Sequence, residues 1–160
     1  MMAGLPQLLH QAVFGALAAS GFGILFNFGW RDVPWCAASG ALALATRTLG
    51  HEAGWPLEAS SFAAAIAVGC ATRGLHARLG ISSNALAVAG CIPMVPGSFA
   101  ARGMFALYAL TSNNPADPSS TVVTAMESLV RVIFTIGAIG TGLSIAKLIL
   151  RNPDAQGSGD

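Results

Sequence analysis

From Asn84 to Leu110 the chain reads NALAVAGCIPMVPGSFAARGMFALYAL, an apolar stretch whose one charge is Arg102. It is long enough to cross the roughly 30 Å of bilayer hydrocarbon as a helix. Pro93, Pro96 and Gly97 cut it near its middle. Each proline lacks an amide donor, and its ring obstructs the carbonyl four residues earlier, so an unbroken helix through residues 92–97 is not expected. A backbone group left facing hydrocarbon costs several kcal/mol, so the groups freed by the cut must meet protein, water or a ligand. A membrane helix broken in this way, with a charge close behind, is how transporters hold small polar solutes.

The rest of the chain fits the same environment. Charged residues make up 9% of it, against the roughly 25% usual in a soluble domain, which excludes an ordinary water-soluble fold. The formal charge of +1 leaves no basic face for nucleic acid. Four further apolar runs are expected to form helical spans, at residues 8–28, 34–49, 57–75 and 121–150. With 84–110 they give an all-α bundle of five transmembrane helices, the fourth broken at Pro93–Gly97, in one membrane domain over residues 1–151. Residues 152–160 are polar and are expected to form a disordered tail.

Residues 8–28 contain no Lys, Arg, Asp or Glu. Gly15, Ala19 and Gly23 recur there every four residues and offer a smooth face to a neighbouring helix. Ala37, Ala41 and Ala45, then Ala63, Ala67 and Ala71, repeat that spacing in the next two spans. Trp30 and Trp35 bracket the first turn, where amphipathic rings favour the headgroup layer. Arg47 is near enough to a span end to snorkel toward water. The first residues lack a basic start, and the first apolar run is too long for a cleavable signal.

Five crossings place Arg31, Arg73, Arg78, Lys147 and Arg151 on one side and leave Arg47 on the other. Cationic loops stay in the cytoplasm, so the N-terminus is expected outside and the C-terminus inside. If Pro93–Gly97 is instead the tip of a re-entrant hairpin, four crossings put both termini on one side.

The candidate site follows from the break. The second half-helix would begin near Ser98, with the amides of Ser98 to Ala100 at its electropositive end, a place for a carboxylate. Arg102, about one turn on, can add a bidentate contact. The competing reading is a kink that serves packing alone, with Arg102 paired internally to Glu127 or to a group on another subunit. Glu127 and Arg131, four residues apart, share a helix face. They read either as an interfacial ion pair or as a proton-responsive carboxylate beside the pathway; Glu58, in a first helical turn, is a weaker candidate for such a role. Cys36, Cys70 and Cys91 are far apart without metal-ligand spacing, and His10, His51 and His76 are scattered, so neither a metal nor another cofactor is expected.

At the break the sequence also resembles a known family. Ile92–Pro93–Met94–Val95–Pro96–Gly97, followed by Arg102–Gly103–Met104, is similar to the P-x-x-P-G and downstream R-G pattern of the threonine/serine exporter (ThrE) family. Gly21–Phe22–Gly23–Ile24–Leu25–Phe26–Asn27, then Pro34–Trp35–Cys36–Ala37, resembles the first spans of its small, YjjB-type membrane subunit. The resemblance runs from about Leu8 to Leu150. It implies a bacterial inner-membrane protein, the small half of a two-subunit exporter or the C-terminal half of a fused one, that works with a larger membrane subunit carrying an extra hydrophilic region. It implies small carboxylate solutes, threonine and serine or dicarboxylates such as succinate, and coupling to the proton gradient. The sequence contains no P-loop. The number of copies in such a complex, including a higher oligomer, is left open.

Two other classes compete with an exporter. One is a membrane scaffold that only assembles a partner. The other is an intramembrane enzyme, the weakest, because no Ser/His/Asp set or paired catalytic carboxylates share a span.

Overall fold

The computed structural model describes residues 4–79, 83–112 and 118–150. Asn113, Asn114, Pro115 and Asp117, between the expected fourth and fifth spans, lie outside the described residues together with Arg151 and the polar tail. Everything described is helix or short connection: α1 (Gly4–Leu25), α2 (Val33–Glu52), α3 (Leu57–Leu79), α4 (Ser83–Cys91), a 3-10 turn (Ile92–Met94), α5 (Gly97–Thr111) and α6 (Pro118–Ile149).

The helix ends have local causes. Asn27 adopts φ 60°, and the amides of Asn27 and Phe28 donate to the carbonyls of Ile24 and Gly23, which closes α1 with a left-handed cap. Gly54, at φ 83°, closes α2 in the same way, with Gly54 and Trp55 donating to His51 and Gly50. Pro34 lies in the first turn of α2 and Pro118 opens α6, where a missing amide donor costs nothing.

Helices α1, α2 and α3 run up and down in sequence. Gly15 meets Gly40 across α1 and α2, and Gly50 meets Ser60 across α2 and α3. A methyl group added at Gly40 would collide with the Gly15 carbonyl and the Ala19 side chain, so these two axes approach to backbone contact. Gly15, Ala19 and Gly23 are all buried in that seam, as their spacing suggests. The alanine stripes of the next two helices fall differently. The buried residues are Cys36, Ser39, Gly40 and Ala43 on α2, and Ser60, Ser61, Ala64, Ala65, Val68, Gly69 and Thr72 on α3, so Ala37, Ala41, Ala45, Ala63, Ala67 and Ala71 are off the main seam.

The short α4 lies against α2 and α3, with Gly90 on Ser39. Helix α6 runs parallel to α3, Gly142 against Ala65 and Gly69 against Ala146. The core is made of small side chains: Ala43, Ala64, Ala65, Val68, Ala87, Cys91, Met94 and Ile139 form its largest cluster.

Counting back from the Ala65–Gly142 contact, α6 extends past the level of Leu57 by roughly 16 residues, about 24 Å of helix. Helix α5 packs on this extension, with Gly103 against Ser128 and Leu129. The molecule therefore has two regions: a bundle of α1–α4 with the second half of α6, and a hairpin of α5 with its first half.

Helices α1 and α6 are each long and apolar enough to cross a membrane. The bent pair Asn84–Met94 and Gly97–Thr111 makes a third when taken as one span. Helices α2 and α3, at 20 and 23 residues, are long enough but less apolar. Trp30 and Trp55 lie exposed at opposite ends of α2, as ring anchors at two interfaces would.

Candidate functional site

The break is built by its prolines. A residue before proline is pushed to extended backbone, and Val95, before Pro96, has φ −60° and ψ 127°. Pro93 falls in the 3-10 turn and Pro96 caps α5. The two half-helices meet at 56°, which redirects the chain without reversing it.

In a continuous helix the Met94 carbonyl would accept from the amide of Ser98. Here that bond is lost, and the Arg47 guanidinium donates to the Met94 oxygen at 2.9 Å. Arg47 is half-buried and reaches inward from α2, so the expected excursion toward water is corrected. The reason is the partner: an orphan carbonyl in an apolar setting attracts a cation more strongly than a distant interface does. Sequence reasoning did not connect Arg47 with the break. The available signal was a lone charge near the end of an apolar helix, which had a second explanation.

Of the amides expected at the head of α5, those of Phe99 and Ala100 both donate to the Pro96 carbonyl at 3.1 Å, so among the described residues only the Ser98 amide of the three stays open. Ser98 and Gly97 are exposed, and nothing lies within 4 Å of a methyl group placed on Gly97. Pro96 is buried and Pro93 half-buried.

Arg102 is exposed and extends over the Phe99 ring, 5.8 Å from its centre. Arg131 approaches the same ring at 5.4 Å. Two guanidinium groups thus approach one aromatic ring, and the contact from Arg131 ties α5 to α6. Glu127 pairs with Arg131 at 3.2 Å, the i,i+4 pair its spacing suggests. Among the described residues, no Arg102–Glu127 ion pair forms, because Arg131 holds that carboxylate from its own helix. Glu58 stands in the first turn of α3, away from this group.

Polar side chains also gather on the other side of the break. Gln7, Gln11, Arg47, Thr48 and His51 line a cleft of about 280 Å³ that Pro93 closes. Among the described residues, no three His, Cys, Asp or Glu side chains group as metal ligands would.

A small-residue helical bundle with apolar membrane-length helices, and one apolar segment bent beside the inward-reaching Arg47, has the make-up of an integral membrane protein. A family model described as threonine/serine exporter, ThrE, matches residues 11–149, and the chain belongs to that family. No solved structure matches it.

Proposed function

We propose that this chain is the small membrane subunit of a two-part exporter that moves small carboxylate-bearing solutes out of the bacterial cytoplasm. The solutes are threonine and serine, or a dicarboxylate such as succinate, and the proton gradient drives them. The observation that carries this reading is the 56° interruption of an apolar span in a chain of the ThrE family. Backbone freed there has polar partners on one side and an open Ser98 amide on the other. Pro93, Pro96 and Gly97 shape the opening. Ser98 and Arg102 offer a carboxylate a helix terminus and a guanidinium.

In this reading all five segments cross the inner membrane, α4 and α5 together as one bent span. The N-terminus is outside and the C-terminus cytoplasmic. Arg73 and Lys147 line one cleft at the end where α3 and α6 finish, which supports a cytoplasmic placement of that end. The larger subunit packs against the hairpin, whose Met104, Phe105 and Tyr108 are about 70% exposed. That apolar surface is also what favours the second reading, a scaffold that assembles a partner without handling solute.

Efflux separates the two. Cells co-expressing the chain with its larger partner are loaded with labelled threonine or succinate, and release is followed. Gly97→Leu and Arg102→Ala are expected to slow release while both subunits still co-purify. Wild-type efflux in both variants would leave the scaffold.

A further inference from the structure

The cleft on the α1–α2 side of the break has the properties of a binding site in its own right. Its volume, about 280 Å³, falls just below the roughly 300–1,000 Å³ range of ligand pockets, so it suits a small solute. Arg47 lines it and is half-buried. A guanidinium carries five N–H groups, and the Met94 carbonyl engages one end of this one. Among the described residues, no carboxylate pairs with Arg47. A half-buried cation without a counter-ion in an apolar protein is a standing demand for an anion. Around it are groups of mixed polarity. Gln7 and Gln11 face in from α1, each with an amide donor and acceptor, and Thr48 and His51 from α2. The Thr48 hydroxyl proton goes to the Leu44 carbonyl at 2.7 Å, which leaves its oxygen free to accept.

We propose that this cleft binds a small hydroxy- or amino-carboxylate, its carboxylate on Arg47 and its hydroxyl or ammonium group among Gln7, Gln11 and Thr48. The inference rests on the exporter reading and adds a second cation to it, one that touches both solute and break. Solute that draws on Arg47 competes with the Met94 carbonyl for the same guanidinium. Occupancy is thereby linked to the bend between α4 and α5.

The test uses the full chain co-expressed with the larger subunit in membrane vesicles. Thr48→Cys is exposed to a membrane-impermeant thiol reagent with and without L-threonine or succinate, with the wild type as background. Solute is expected to slow modification several-fold. Gln11→Leu leaves the Arg47–Met94 bond in place and is expected to raise the KM of efflux about tenfold with kcat little changed. Arg47→Lys keeps the charge without the planar fork and is expected to weaken protection. Absence of protection by either solute, or an unchanged KM in Gln11→Leu, would overturn the proposal while wild-type efflux keeps the exporter reading intact. Protection in vesicles that show no efflux would do the reverse.

Discussion

In the bundle, helix axes approach until backbone touches backbone; in the hairpin, side chains hold them apart. A methyl group at Gly40 meets the Gly15 carbonyl, whereas one at Gly103 meets the Ser128 side chain at 3.3 Å and Leu129 at 3.6 Å. The bundle ties α1, α2, α3 and α4 to one another, with half of α6 against α3, but α5 depends almost entirely on α6. Water offers no hydrophobic drive between helices inside lipid, so close dispersion contact has to supply the adhesion. The bundle has that contact on many sides. The hairpin has it on one, plus two guanidinium groups around a ring. The part of the molecule that handles the break is therefore also the part least fixed by its own chain.

That contrast breaks most sharply at two glycines. Gly40→Leu drives four carbons into a seam already at backbone contact, and overpacking of this kind costs about 1–3 kcal/mol or more. Loss of most folded protein, read as a fall in the melting temperature of the detergent-purified chain, is the expected result. Gly97→Leu faces open space and should melt within a degree or two of wild type. Equal losses at both positions would mean that the hairpin is packed as tightly as the bundle.

A smaller effect sharpens the role of the hairpin's outer face. Phe105 is 73% exposed and contributes little to the chain's own packing. Phe105→Ser should leave the melting temperature almost unchanged, yet reduce recovery of the larger subunit when the two are co-purified. Full recovery would move the contact away from α5.

The sequence made the helix limits and the break legible because their causes are local. Prolines, an asparagine able to adopt positive φ, and charge-free runs act within a few residues. The buried faces of α2 and α3 were harder to see. Alanine occurs at nearly every phase of those helices, so spacing alone favours no face, and contacts with α4 and α6 decide it. Arg47 was missed for a related reason. Its partner carbonyl is 47 residues away, and nothing near Arg47 in the chain announces an orphan acceptor. The direction taken by α5 was equally hidden, since two prolines specify that a helix bends but not which neighbour receives it. The partner of Arg102 followed from that direction: with α5 along α6, both arginines approach the Phe99 ring and Glu127 stays with its own helix.

The smallest expected effect falls on Glu127, and it decides between two roles that look alike in sequence. Its pair with Arg131 is an i,i+4 contact with both side chains well exposed, at 61% and 41%. Pairs of this kind contribute about 0.5 kcal/mol or less, because water screens them and two long side chains must be held in one geometry. Glu127→Gln should accordingly leave the melting temperature close to wild type. If the carboxylate only steadies the hairpin surface, efflux and its dependence on external pH should also be unchanged. If it carries protons for the transport cycle, the neutral amide removes the titrating group, and the pH dependence of efflux flattens while assembly stays intact. The exposed setting favours the first outcome. A flattened profile would place proton coupling on the hairpin, beside the Arg131 that approaches the Phe99 ring, and would make the less self-reliant region the one that powers the cycle.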